Sequence, residues 1–294
     1  MIILKSKFET KKIISAFKNQ QHSIGFIPTM GALHKGHISL INKAKSECSI
    51  VIASIFVNPT QFNNLNDLKN YPRTFEADCI MLEKAGCNVI FAPEIAEMYS
   101  EKELELKNLK IEDKAWTEGK LVDFGTLEIV MEGAHRPGHF NGVAQIVSKL
   151  FRIIEPDKTY FGQKDFQQLA IIRSMVEQLS MPIEIIDCPI LREPNGLAMS
   201  SRNERLTTEQ RKTAALISKT LFQVKNFYTS KSIAELKKFA EQQLNAEPQF
   251  KLEYFEIADV NTLKPASEYK ANQKLIACVA LQLGEIRLID NILL

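Results

Sequence analysis

The chain has 294 residues, enough for one large domain or two smaller domains with separate cores. Its 37 basic and 35 acidic residues give a formal charge of +2, which excludes the basic excess typical of duplex nucleic-acid-binding proteins. No apolar run approaches the ~20 residues that span a bilayer, and the N-terminus does not resemble a signal peptide, so we expect no membrane partner.

In the first two thirds of the chain, short apolar runs typical of buried strands alternate with segments of helical apolar spacing. The predicted strands are Ser23–Ile27, Ile50–Phe56, Asn88–Ala92, Thr159–Phe161 and Ile183–Ile190. The predicted helices are Gly36–Ser46, Thr74–Lys84, Val143–Ile154 and Lys164–Leu179. This alternation predicts an α/β domain over residues 1–190, with a Rossmann-like parallel sheet covered by helices.

The pattern changes after Ile190. Residues Leu191–Asn203 form a polar connector that contains Gly and Pro. Beyond it we predict two helices and three strands, which are Thr208–Tyr228, Ser232–Asn245, Leu252–Val260, Leu275–Leu283 and Ile286–Ile289. Because no helix separates the last strands, we expect a smaller α+β domain with antiparallel strands over residues 191–294.

Two further features bear on organisation and location. Eleven of the 20 residues in Glu101–Lys120 are charged, which predicts a solvated insertion rather than core. The five cysteines are scattered without a Cys-x-x-Cys pair, so we expect neither a disulfide framework nor a structural zinc site. Such cysteine usage favours a reducing cytoplasmic location.

Two histidines lie where the strand Ser23–Ile27 is followed by a helix. His34 and His37 are three residues apart, so both can project from the first helical turn toward one ligand. A helix start offers unpaired N–H groups and a partial positive charge that suit phosphate, and Gly31 and Gly36 permit close approach. An isolated His-x-x-His pair is usually accidental, but this position favours a site. His-x-Gly-His is the pattern of enzymes that transfer nucleotides by attack on an α-phosphate.

Other polar segments also follow predicted strands, at the carboxyl edge where parallel sheets bind ligands. Asn58 and Gln61 supply amides, which recognise hydroxyl and carboxylate groups without adding charge. Lys164 follows Gly162 and opens a helix, where it would give phosphate a compact positive charge. Taken singly, the amides fit a solvated loop equally well, and Lys164 with Asp165 fits a surface cap.

Two more segments have alternative interpretations. Met199–Asn203 contains two hydroxyls and an arginine, which suit several phosphate oxygens or a polar linker that caps a helix. His135 and His139 have the spacing of a zinc pair on a helix, but Pro137 and Gly138 between them argue against a helix there. We interpret that segment as a loop that contacts substrate rather than as a metal centre.

Together these segments resemble the pantothenate synthetase (pantoate–β-alanine ligase) family over essentially the whole chain. The similar runs are Pro28–His37, Phe56–Phe62, Tyr71–Thr74, Gly133–Gly142, Phe161–Gln168, Gly196–Asn203 and Ala280–Asp290. The resemblance implies a His-x-Gly-His nucleotidyl transferase that uses ATP to join pantoate to β-alanine. The reaction would pass through a pantoyl adenylate and release AMP and pyrophosphate. The resemblance also implies magnesium as a cofactor and a homodimer.

The resemblance further implies roles for individual residues. The catalytic residues would be His34, His37, Lys164 and Arg202. The ATP-binding residues would be Pro28, Thr29, Met30, Gly31, His34, His37, Gly162, Lys164, Asp165, Leu191, Met199, Ser200, Ser201 and Arg202. Pantoate or β-alanine would bind to Asn58, Gln61, His139 and Gln168. Magnesium would be held chiefly by the nucleotide, with Asp78 as the protein ligand, while Ala77 stands where relatives have a second acid.

Three other functions stay open at this point. A cytidylyl- or adenylyltransferase acting on a phosphorylated substrate would need cations that Gln61 and Gln168 do not offer. A relative of class I aminoacyl-tRNA synthetases would need a basic surface excess or an anticodon-binding extension. A nucleotide sensor would bind nucleotide without catalysing pyrophosphate exchange.

Overall fold

The computed structural model describes residues 1–101, 115–117 and 120–294. The chain divides into two compact units. The first unit consists of Met1–Phe124, Arg136–Gln163 and Gln168–Pro189, and the second consists of Gly125–His135, Lys164–Gln167 and Ile190–Leu294. The second unit therefore includes two short segments that lie within the predicted first domain.

The strands and helices of the described residues are numbered here in chain order. The strands are β1 (Ile2–Leu4), β2 (Ile24–Thr29), β3 (Ile50–Ile55), β4 (Val89–Phe91), β5 (Ala115–Thr117), β6 (Lys120–Val122), β7 (Lys158–Gly162), β8 (Glu184–Cys188), β9 (Phe250–Asp259), β10 (Leu275–Leu283) and β11 (Ile286–Leu293). The helices are α1 (Lys7–Asn19), α2 (Lys35–Glu47), α3 (Leu65–Lys69), α4 (Phe75–Ala85), α5 (Ile95–Met98), α6 (Met131–His135), α7 (His139–Ile154), α8 (Phe166–Gln178), α9 (Thr208–Phe227) and α10 (Ile233–Asn245). No described helix combines the length and apolar character that crossing a membrane requires.

The first unit is built on a parallel six-stranded sheet in the order β1-β4-β3-β2-β7-β8. Its central strands are buried on both faces, which explains their almost continuous apolar sequence. From β2 the chain proceeds to β3 and β4 on one side, whereas β7 and β8 lie on the other. The sheet therefore has its switch point between β2 and β7, and ligands bind parallel sheets at the carboxyl ends of such strands.

The second unit has an antiparallel sheet in the order β11-β10-β9. Its core is formed by apolar side chains of this sheet and of α9 and α10, including Ile217, Leu236 and Val279. The central strand β10 is buried over almost its entire length. Together with the parallel sheet of the first unit, this arrangement confirms the predicted fold class.

The structure departs from the sequence predictions in a few elements. Neither β1 nor α1 was predicted; β1 is a three-residue strand that exposes two apolar side chains. A 3-10 turn, Gln163–Asp165, precedes α8, and β11 continues beyond Ile289 to Leu293. The break predicted at Pro137 and Gly138 is present between α6 and α7. Most of the predicted insertion Glu101–Lys120 lies outside the described residues.

A partly buried ionic network holds α6 within the second unit. The Arg287 guanidinium donates to both Glu132 carboxylate oxygens at 2.7 and 2.8 Å, and its Nε donates to Glu253 at 2.8 Å. The Tyr254 hydroxyl also donates to Glu132, at 2.8 Å. Burial opposes the charge on Arg287, but its hydrogen bonds to Glu132 and Glu253 outweigh that cost and raise its pKa. This network joins residues 155 positions apart in the chain.

We predict that Arg287→Ala lowers the free energy of unfolding by about 3–5 kcal/mol, because it leaves two carboxylates without their cation. Urea unfolding measures this change. The control is Lys270→Ala, which removes an exposed ion pair with Glu268 in the same unit and should cost less than about 1 kcal/mol. Equal, small effects of the two substitutions would contradict a stabilising role for the network.

Candidate active site

The loop between β2 and α2 lies at the switch point of the parallel sheet. It turns through Gly31 and Ala32, whose φ values are +81° and +48°. The Ala32 and Leu33 N–H groups donate to the two carboxylate oxygens of Asp78 at 2.9 and 2.8 Å. The Thr74 hydroxyl donates to the same carboxylate at 3.1 Å. Asp78 is only 1% exposed, so its carboxylate serves as a fixed internal support for this loop.

The two histidines of this loop cap the helix that follows. The Gly36 N–H donates to Nδ1 of His34 at 3.1 Å, and the His34 N–H donates to Nδ1 of His37 at 3.3 Å. The rings lie with their centroids 4.1 Å apart. Because Nδ1 accepts in each ring, Nε2 carries the proton. Each ring therefore has an N–H donor at Nε2, the chemistry required for contact with a phosphate oxygen.

Other predicted ATP-binding residues lie at the carboxyl ends of β2 and β7 and in this loop. Pro28 and Thr29 are the last residues of β2, and the Thr29 hydroxyl donates to the Ser54 carbonyl at 2.7 Å. A Cβ on Gly31 would lie 3.1 Å from Asp78, so the loop approaches its support closely. Gly162 is the last residue of β7, which pairs with β2.

Asn58 and Gln61 lie in the loop that follows β3, which we call the amide loop. This loop contacts the loop between β2 and α2, which we call the histidine loop. The Gln61 side-chain amide donates to the Met30 sulfur at 2.8 Å, and its oxygen accepts from the Asn58 amide at 3.2 Å. Asn58 is buried, donates to the Gly142 carbonyl at 3.1 Å, and accepts from the Tyr99 hydroxyl at 2.8 Å. Met30, Asn58 and Gln61 thus form one cluster beyond the carboxyl ends of β2 and β3.

His139 and Gln168 have different surroundings. His139 is 5% exposed, and its Nδ1 lies 2.8 Å from the main-chain carbonyl of Gln61, to which it donates. The ring therefore supports the backbone of the amide loop. Gln168 lies in the first turn of α8 and is half-buried.

The remaining predicted residues lie in the second unit. Lys164 is half-buried and Asp165 is exposed, both within the 3-10 turn before α8. Leu191 is exposed and its carbonyl accepts from the Met199 N–H at 3.0 Å. The Ser200 side chain caps the 3-10 turn Ser201–Arg205, in which Ser201 is buried and Arg202 half-buried. The predicted polar connector is thus an ordered, hydrogen-bonded loop.

The structure shows a supporting role for Asp78, and its role as a magnesium ligand stays a prediction. Both of its oxygens bind backbone N–H groups, and the described residues contain no cluster of three or more His, Cys, Asp or Glu side chains suited to a metal ion. A magnesium ion beside Asp78 would therefore take most of its ligands from the nucleotide, and we derive no catalytic step through the ion.

Sequence reasoning missed several supporting residues. Tyr99 orients Asn58 across 41 positions. Gly142 is another: a Cβ there would lie 2.5 Å from the Thr60 carbonyl oxygen, so only glycine permits α7 to approach the amide loop. The sequence did contain a signal for Gly142, because this glycine ends the run Gly133–Gly142 that resembles the family. Nothing near Tyr99 in the sequence indicated that its hydroxyl contacts Asn58.

Comparison with known proteins identifies the family of this chain. The profile described as Pantoate-beta-alanine ligase matches residues 2–293. The chain belongs to this family.

Curated relatives of the pantoate-beta-alanine ligase family match nearly the whole chain. Pantothenate synthetase of Porphyromonas gingivalis is 46% identical over 292 residues, covering 99% of each chain. That of Azobacteroides pseudotrichonymphae is 47% identical over 293 residues, again covering 99% of each chain.

Solved structures agree. Pantothenate synthetase from Thermus thermophilus has a TM-score of 0.86 and 38% identity, with 99% of each chain covered. Pantoate-beta-alanine ligase from Francisella tularensis, complexed with beta-gamma ATP and beta-alanine, has a TM-score of 0.77 and 36% identity, with 100% of this chain and 97% of that chain covered. The predicted family resemblance is confirmed.

We predict that Asp78→Asn lowers the free energy of unfolding by about 1–3 kcal/mol, because the amide cannot accept from both Ala32 and Leu33. Urea unfolding in EDTA measures the change, and hydrogen exchange of the two amides reports the local effect. Glu76→Gln, an exposed change in the same helical turn, is the control. A loss of stability that appears only when magnesium is added would favour the metal-ligand role instead.

Proposed function

We propose that this chain condenses pantoate with β-alanine at the expense of ATP, through a pantoyl-adenylate intermediate. The observation that carries the proposal is the direct contact between the amide loop and the loop of the two histidines, made by Gln61 and Met30. That contact joins neutral groups suited to a hydroxy acid to N–H donors suited to phosphate. The family membership and the ATP- and β-alanine-bound relative support the same reaction.

The first step needs alignment and charge stabilisation rather than a base. Pantoate is a carboxylate at neutral pH, so its oxygen can attack the α-phosphorus of ATP without losing a proton. The pyrophosphate leaves as negative charge builds on the phosphate oxygens. We propose that the Nε2–H groups of His34 and His37, together with Lys164 and Arg202, stabilise that charge.

The proposed binding roles follow the chemistry of each group. Gln61 would orient pantoate through amide hydrogen bonds, and Asn58 would hold the Gln61 amide in place. Gln168 would be a further amide, and His139 would act through the Gln61 backbone. The remaining proposed nucleotide contacts are Gly162 and Asp165 at the ribose, Leu191 at the adenine, and Ser200 and Ser201 at the phosphates. In the second step the neutral amine of β-alanine attacks the mixed anhydride and AMP leaves.

Magnesium would enter this proposal chiefly as an ion carried by the nucleotide, with Asp78, which also supports the histidine loop, as the protein ligand. The homodimer implied by the family stays a prediction, which sedimentation tests.

We predict that the protein exchanges labelled pyrophosphate into ATP only when pantoate is present. Reversible formation of the adenylate requires both substrates, so the isotope assay with and without pantoate measures it. Exchange without pantoate would favour another nucleotidyl transferase. Nucleotide binding with no exchange under either condition would favour a sensor and contradict the ligase proposal.

We predict that His34→Asn lowers the rate of adenylate formation by more than ~100-fold, because it removes a donor to the transition state. Asparagine is a good helix N-cap, so this variant keeps the bond to Gly36 while losing the imidazole. Lys164→Met, which keeps the length of the side chain, should have an effect of similar size. Unchanged single-turnover rates in either folded variant would refute the role of that residue.

A further inference from the structure

The C-terminal strand β11 contacts the turn that contains Lys164. The Asn291 side-chain amide donates to the Lys164 main-chain carbonyl at 2.9 Å, across 127 positions of the chain. Asn291 is 5% exposed, so the donor side of this bond is buried, while Lys164 is half-buried. Both residues belong to the second unit, in which Lys164–Gln167 is a four-residue segment separated in sequence from the rest.

The preceding residue of β11, Asp290, contacts the connector that leads to the second predicted phosphate-binding segment, Met199–Asn203. Arg192 forms a bidentate ion pair with Asp290, with distances of 2.6 and 3.1 Å. The same guanidinium donates to the carbonyls of Asn291 and Gly196, each at 3.2 Å. Asp290 also accepts from the Asn291 N–H at 2.7 Å, which fixes its carboxylate relative to the strand.

Arg192 in turn shapes the loop that leads to Arg202. It forms an antiparallel bridge with Ala198, and the adjacent Leu191 carbonyl accepts from Met199 at 3.0 Å. Ser200 and Arg202 follow at once in the sequence. A continuous series of hydrogen bonds therefore runs from the Lys164 turn, through Asp290 and Asn291, to the loop of residues 191–202.

The charges along this series of hydrogen bonds are of opposite sign, with the Asp290 carboxylate facing the Arg192 and Lys164 cations. Burial raises the pKa of Asp290, and the Arg192 hydrogen bonds and charge, the Asn291 N–H and the charge of Lys164 oppose that shift. The carboxylate of Asp290 thus interacts with one cation from each of the two segments. Breaking one partner of such a buried set leaves the other groups unsatisfied, so the segments are held in a single arrangement.

We propose that Asp290 and Asn291 are positioning residues that hold the Lys164 turn and the 191–202 loop in a fixed mutual arrangement for the phosphates of the nucleotide. This inference rests on the proposed function, because Lys164 and Arg202 are its proposed phosphate ligands. Asn291 acts through the backbone of Lys164 and Asp290 acts through Arg192. A displacement of about 1 Å in such a group is enough to lower a rate by up to about 100-fold.

The principal test compares Asn291→Ala with a matched control in the same strand. Leu288→Val removes part of a buried core side chain from β11 and alters none of the hydrogen-bonding groups of Asp290 and Asn291. In the pantoate-dependent exchange assay on the full chain, we expect Asn291→Ala to lower kcat by about 10- to 100-fold and raise the KM for ATP, with the KM for pantoate unchanged. Leu288→Val should leave all three constants near those of the unsubstituted protein.

A double-substitution cycle tests whether the series acts as one unit. Arg192→Lys keeps the charge but loses the bidentate geometry on Asp290. If the series is continuous, the combined Arg192→Lys and Asn291→Ala variant should lose less activity than the product of the two single losses. Strictly multiplicative losses would overturn the coupling between the two segments.

Hydrogen exchange separates failure of this inference from failure of the proposed function. We expect Asn291→Ala to accelerate amide exchange in residues 163–168 and 191–199, whereas Leu288→Val does not. If the unsubstituted protein catalyses no pantoate-dependent exchange, the proposed function fails, and accelerated amide exchange in these segments still supports the structural coupling. Asn291→Ala and Leu288→Val with equal effects on both measurements would overturn the positioning role.

Discussion

A single buried carboxylate keeps the histidine loop in shape. Asp78 accepts hydrogen bonds from two consecutive backbone N–H groups, so the turn after β2 is fixed before α2 begins. Burying that charge is costly, and the three N–H and hydroxyl donors around it offset the cost. The capping geometry of His34 and His37, and with it the proton on each Nε2, depends on this turn.

In the second unit a buried carboxylate likewise fixes the path of a loop, here the loop of residues 191–202. Asp290 is buried beside Arg192 and next to Asn291, which binds the Lys164 backbone. In each case a polar group in the interior determines the path of a loop whose own sequence is rich in flexible or polar residues. Hydrogen bonds of this kind are strong in a low-dielectric interior and costly to leave unsatisfied, so they select one conformation.

Partly buried ionic and amide hydrogen bonds also explain why the second unit is discontinuous in sequence. Arg287 holds Glu132, and Gln167 accepts from the Glu132 N–H at 3.0 Å while donating to the carbonyls of Leu127 and Val130. These bonds attach residues 125–135 and 164–167 to each other and to the C-terminal sheet. A well-packed apolar contact can match the stability of such a network, but its directional bonds specify which segments meet.

The sequence by itself determined the fold class, most elements and the strand ends at which polar residues gather, because apolar periodicity and Gly or Pro breaks are local signals. The sites after β2 and β3 followed from that pattern, and Gln61 does meet Met30. Only the tertiary structure decided what Asp78, His139 and Asn291 contact, since their partners lie 45, 78 and 127 positions away. A hydrogen bond over such a separation leaves no periodic trace in the chain, because folding brings its donor and acceptor together through contacts made elsewhere.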